Sequence, residues 1–129
     1  MTCLALWLTP DGTVTIASAG HPWPVVLRKG KAEAVEVSGP LPGLIGESAY
    51  QTVTLKLEPG DRLALYTDGV LDRLDSRKNH LAAIKRVEEN MNQTSSVKID
   101  KTADILWTKF LKQDTGKKGI EDDSTLVIL

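Results

Sequence analysis

A short apolar strand that breaks at an acid followed by a glycine constrains this chain more than any other stretch. In GDRLALYTDGVLD, residues 60–72, the turn Pro59-Gly60-Asp61 leads into a strand over residues 62–67. Leu63 and Leu65 fall on one face, Ala64 and Tyr66 on the other, so both faces need cover. The alternation breaks at Asp68-Gly69. Glycine there tolerates backbone angles closed to other residues and leaves room for close approach. Asp68 is then either a turn-former closing a hairpin or a ligand for a cation. These residues alone leave the two readings level.

A second acidic cluster bears on the choice. The chain ends in EDDSTLVIL, three acids running into an apolar strand. If that strand lies beside residues 62–67, Asp68 comes within a few ångströms of Asp122 or Asp123. Carboxylates so placed repel unless one is protonated or a cation sits between them. Hard oxygen donors of this kind suit Mg2+ or Mn2+. Taken alone, the terminal acids are a solvated strand entry.

The rest of the chain reads as strands followed by helices. Residues 2–9 are apolar on both faces and predict a buried strand. Pro10-Asp11-Gly12 is a turn, and residues 13–18 return as its hairpin partner through Val14 and Ile16. Two prolines break the pattern at Gly20-His21-Pro22-Trp23-Pro24. Residues 25–28 and 32–37 flank Lys29-Gly30-Lys31 as another hairpin, and residues 38–48 form a loop. Residues 52–57 alternate through Val53, Leu55 and Leu57. After Asp72 the period becomes helical, first at Leu81, Ile84, Val87 and Met91, then at Ile99, Ala103, Leu106 and Phe110. Residues 92–96 separate the two runs, with Ser96 as a candidate cap. Lys85, Glu88 and Glu89 mark the first helix's solvated face. Residues 115–122 connect to the last strand. The expected order is about seven strands, two helices and a final strand, an α+β arrangement with helices packed on antiparallel sheet.

Composition excludes several functions. With 16 basic and 17 acidic residues the formal charge is −1, so there is no electrostatic case for nucleic acid or membrane as a partner. The single Cys3 rules out a disulfide within the chain and a cysteine zinc site, and fits a reducing, cytoplasmic setting. Its apolar neighbours predict a buried structural thiol. No apolar run reaches membrane-span length, and the N-terminus lacks the basic start of a signal peptide. At 129 residues the chain is one domain or part of one.

Three motifs in order now carry a family resemblance. LYTDGVLD followed by helices and then EDDSTLVIL resembles the metal-dependent protein phosphatases of the PPM family, in their SpoIIE-like bacterial branch. ASAGHP at residues 17–22 is similar to that branch's AGHP element, and residues 39–46 to its following PLG loop. The resemblance implies an antiparallel β-sandwich flanked by helices, with a two-metal site at one sheet end holding Mn2+ or Mg2+. It also implies an upstream strand whose Gly-Asp motif bridges the metals. On this reading the chain is the C-terminal half to two-thirds of such a domain, spanning residues 1–129 and incomplete at the N-terminus.

By the same resemblance, Asp68 and Asp122 match the metal aspartates. Asp123 is the adjacent donor, Gly69 permits close approach, and His21 is a candidate proton donor to the leaving group. For His21 a loop histidine bonded to backbone is the plainer reading. Asp72, where the branch has Glu, has at most a capping role, and His80 simply opens a helix. Arg28 and Lys29 read as surface charge, and Trp7, Trp23 and Trp107 as core or rim. The implied activity is hydrolysis of phosphoserine or phosphothreonine in a phosphoprotein, such as a regulatory anti-sigma antagonist, within bacterial signalling. This fragment is expected to be inactive by itself. A phosphatase-like binding module without catalysis is the alternative, and a plain structural domain a weaker third. Uncovered strand edges predict a homo-oligomer, or pairing with an upstream regulatory domain.

Overall fold

The computed structural model describes residues 1–43, 49–75, 79–112 and 123–129. The end of the loop expected at 38–48 and the whole connector at 115–122, including Asp122, lie outside the described residues. Six strands come first: β1 (Cys3–Leu8), β2 (Thr13–Ala19), β3 (Val25–Arg28), β4 (Lys31–Ala34), β5 (Thr52–Lys56) and β6 (Arg62–Tyr66). Three helices follow, α1 (Asp68–Leu74), α2 (His80–Asn92) and α3 (Ile99–Lys112), and then β7 (Leu126–Ile128).

The strands form two antiparallel sheets, ordered β1-β2-β5 and β4-β3-β6-β7. Strand β6 shows why they stack. Leu63 and Leu65 join Val14, Ile16 and Val37 between the sheets. Ala64 and Tyr66, on its other face, join Val25 and Leu27 against the helices. The helices supply Val70, Leu71 and Leu74 from α1, Ile84, Val87 and Met91 from α2, and Leu106 and Phe110 from α3. The result is sheet on sheet on helices, with β6 contributing to both apolar layers. This is the expected α+β sandwich flanked by helices.

Several local expectations need correction. Asp68-Gly69 closes no hairpin; it opens α1, because Val70, Leu71 and Leu74 share one apolar face that joins the core cluster alongside α2 and α3. The helices therefore number three among the described residues, and six strands precede them. Strand β1 is not buried. It is an edge strand of its sheet, leaving Cys3 exposed and Trp7 73% exposed. Strand β4 ends at Ala34, short of Val37, and α3 begins at Ile99, so Ser96 caps nothing. Glu88 is not merely solvated: it accepts from the Ala34 N–H at 2.7 Å, and Asn92, one turn on, accepts from the Ala32 N–H at 2.6 Å. The two side chains thereby close the β4 edge, whereas nothing among the described residues pairs with the outer edge of β1. Among those residues no helix is long and apolar enough to cross a membrane.

Arg62 ties β6 to the helical layer. It is buried, and its guanidinium donates to the Thr94 carbonyl (2.6 Å), to Thr102 Oγ1 (3.0 Å) and to the Val97 carbonyl. A planar fork reaches several acceptors at once, which an ammonium does less well. The turn between α2 and α3 is therefore held by one side chain. Arg62→Met keeps most of the volume but strands those acceptors, and should cost about 2–3 kcal/mol. Arg62→Lys should recover only part of it. Urea unfolding of the three proteins measures both.

Candidate functional site

The end of β6 is fixed by the end of the chain. Strand β7 pairs antiparallel with β6 through Ala64–Ile128, Leu65–Val127 and Tyr66–Leu126. The pairing continues past the ladder: the Thr67 N–H donates to the Thr125 carbonyl at 3.1 Å. Thr67 Oγ1 accepts from the Thr125 N–H at 2.9 Å and lies 3.3 Å from the Asp123 carbonyl, to which it donates. Thr67 is the N-cap of α1, yet its hydroxyl makes no capping bond. It is spent on the terminal strand instead.

Asp68 follows as the first residue of α1, where a carboxylate is favoured by the helix's positive end. Gly69 is buried in the first turn of that helix. A Cβ built there would fall 2.5 Å from the Asp123 carbonyl oxygen and 2.7 Å from Ser124 Oγ. Its glycine therefore answers to close approach by the chain's own terminal segment, and positive backbone angles play no part. Arg73, one turn further along α1, donates to Ser124 Oγ at 3.2 Å and stacks over Trp107 of α3 at 5.6 Å. Asp68 and the Asp123 backbone are thus brought to the same end of the sheet.

The loop after β2 supplies the facing wall. Ser18 Oγ accepts from the His21 N–H and donates to the His21 carbonyl, both at 3.2 Å. Gly20 within that tight turn has φ of 69°, a region few other residues enter. The turn holds the His21 ring between Thr2 Oγ1, 3.4 Å from Nδ1, and the Tyr66 carbonyl. Burial lowers the pKa of the His21 imidazole; the Asp68 charge and the Tyr66 carbonyl oppose this without reversing it. The neutral ring is therefore favoured near pH 7, which works against the protonated form a general acid needs.

Behind these residues lies a cleft of about 220 Å³. His21 and Asp68 stand in its lining with Trp23, Leu71, His80, Leu81 and Ile84. Tyr66 fixes Trp23 from beneath, its hydroxyl donating to the Trp23 carbonyl at 2.6 Å. His80 Nε2 lies 3.9 Å from Asp72 Oδ1. Arg28 points elsewhere, bonded to Asp61 at 2.8 Å. Tyr66 and Thr67 fall within the LYTDGVLD motif, which assigns them no role, and no motif includes Trp23 or Leu81. Leu81 alone leaves a signal, as the first residue of a helical stripe.

The donors at this end are hard oxygens, the right type for Mg2+ or Mn2+. Their number falls short: among the described residues no three His, Cys, Asp or Glu side chains converge as a metal-binding group. The described residues by themselves do not fit a two-ion centre.

Comparison with known proteins gives this geometry a context. The family model described as Stage II sporulation protein E (SpoIIE) matches residues 1–129. Protein IcfG from Synechocystis sp. is 25% identical over 119 residues, covering 92% of this chain and 18% of IcfG. Among solved structures, the chain resembles the Mn-presoaked phosphatase domain of the cell fate determinant SpoIIE from Bacillus subtilis. The TM-score is 0.76 at 21% identity, covering 99% of this chain and 55% of that one. It also resembles the RsbU and RsbW domains of Rv1364c from Mycobacterium tuberculosis. There the TM-score is 0.79 at 25% identity, covering 98% of this chain and 35% of that one. The chain thus spans about half the length of the SpoIIE phosphatase-domain structure and under a fifth of IcfG.

The seating of Asp123 on Gly69 is directly testable. In Gly69→Ala the helix gains at most about 1 kcal/mol of propensity. Against this stands a methyl driven into a backbone carbonyl, an overpacking cost of about 1–3 kcal/mol. The contact should win, so Gly69→Ala should unfold at lower urea concentration than the parent. A more stable variant would show that the terminal segment does not sit there.

Proposed function

The chain belongs to the SpoIIE family, and from that premise we propose that it contributes to a protein phosphatase domain acting on phosphoserine or phosphothreonine. One observation carries the reading: the pairing of β6 with β7 brings Asp68 and the Asp123 segment to one sheet end, and Asp68 also lines a cleft with His21. Mn2+ or Mg2+ is the proposed cofactor, with Asp68 and Asp122 as its carboxylate donors and Asp123 beside them. The Mn-presoaked SpoIIE structure supports the choice of Mn2+. A bound divalent ion would supply Lewis acidity at the phosphoryl group.

The roles of this chain's own residues follow from the site. Asp68 is held at a fixed position by the ladder and the first turn of α1, so its carboxylate needs little reorganisation on binding a ligand. Gly69 lets the Asp123 segment approach. His21, neutral and hydrogen-bonded to backbone, positions the loop against Asp68 and can accept a proton. Its depressed basicity makes it a weaker candidate for protonating a leaving group. The substrate is a phosphoprotein of bacterial signalling, of which an anti-sigma antagonist is one example.

That the chain spans about half of the SpoIIE phosphatase-domain structure favours a second reading, a phosphatase-like module that binds a phosphoprotein without turning it over. One experiment separates the two. Hydrolysis of p-nitrophenyl phosphate and a phosphoserine peptide in Mn2+ is compared for the 129-residue chain and for the chain fused to a segment supplying the uncovered part of the domain. Turnover should rise by at least about 100-fold in the fusion, since misplaced reacting groups cost that much. Asp68→Asn should abolish the gain. A fusion that binds the phosphopeptide but gains no Mn2+-dependent turnover establishes the binding module; a gain that survives Asp68→Asn refutes the site assignment.

A further inference from the structure

The apolar stripe of α2 is longer than the core it serves. Ile84, Val87 and Met91 are buried, but Leu81, on the same face, is 60% exposed. Packing inside the fold does not use it. It stands instead on the rim of the cleft, above a floor of buried Leu71 and Ile84 and opposite the half-buried Trp23. Asp68, His21 and Leu81 line the same cleft.

Charge narrows the occupant further. Among the described residues no Lys or Arg lines the cleft, and Trp23, Leu71, Leu81 and Ile84 make much of that lining apolar. An acidic side chain laid against that apolar lining loses hydration without gaining a partner, and an aliphatic one does not. The space suits one large side chain.

Resting on the phosphatase reading above, we propose that this cleft receives a large apolar side chain flanking the phosphorylated residue of the substrate protein, and that Leu81 selects it. Leu81 is a specificity-determining residue here, not a catalytic one. Burial of an extra aliphatic group in such a pocket typically discriminates by 10- to 200-fold.

The test is fluorescence anisotropy of labelled phosphoserine peptides with Leu, Ala or Glu on both sides of the phosphoserine. Each is titrated in Mn2+ with the full 129-residue chain, with and without its phosphate. The Leu peptide should bind about tenfold tighter than the Ala peptide, and the Glu peptide weakest. Leu81→Gln should erase the Leu advantage, whereas Ile99→Gln, at an exposed apolar residue of α3 outside the cleft lining, should keep it. Equal affinity for the Leu and Ala peptides, no binding by any peptide, or an advantage that survives Leu81→Gln overturns the proposal. Equal binding of the Leu peptide with and without phosphate, still lost in Leu81→Gln, upholds the cleft assignment and counts against the phosphatase reading instead.

Discussion

The contact on which the site depends is between the end of the chain and the end of β6. Two backbone segments meet there with almost no side-chain padding, because Gly69 offers no Cβ and Thr67 turns its hydroxyl toward the terminal strand. A hydroxyl at a helix N-cap ordinarily stabilises the first turn by about 1 kcal/mol. Here it serves the joint with β7, and the helix start relies on Asp68 and on packing. Local helix stability has been traded for the placement of one carboxylate.

That joint is reinforced from both sides. Arg73 reaches from α1 to Ser124 while stacking on Trp107, so β7, α1 and α3 are tied through one guanidinium. Arg62, at the other end of β6, holds the turn between α2 and α3. Strand β6, which leads into Asp68, is thus tied to the helical layer through Arg62 and paired along its length with β3 and β7. A ligand-binding carboxylate on such a support is pre-organised, which lowers the ordering cost of binding. The wall opposite is a tight turn stabilised by Ser18 and Gly20, so the cleft is built from two well-supported ends rather than from open loop.

Much of this architecture is legible in the order of the residues alone. The alternation in residues 13–18 and 52–57 gives β2 and β5 with the right faces inward, because a half-buried strand writes its period into its side chains. The apolar residues on both faces of 62–67 give β6, which is covered on both sides. The stripes ending at Met91 and Phe110 give α2 and α3 in the same way. The features that local pattern misses are those set by neighbours. Helix α1 has seven residues and begins at Asp-Gly, a pair whose intrinsic preference is for turns. Strand β1 is apolar on both faces, yet burial depends on whether another element covers it, and its own residues do not encode that. Gly69 stands out as a point of close approach, and the segment that approaches is the chain's own terminus. Leu81 fits the core period and sits outside the core, since a periodic stripe does not say where the packing ends.

The central claim is that Asp68 and the Asp123 segment form one site, assembled by strand pairing across more than fifty residues of sequence. Mn2+ is paramagnetic, so it broadens the amide signals of residues near wherever it binds. In a titration followed by 15N–1H NMR, the amides of 68–70 and of 123–125 should broaden together and at the same Mn2+ concentration, and Asp68→Asn should spare both. Broadening of one segment without the other, or of both in Asp68→Asn, would contradict the claim.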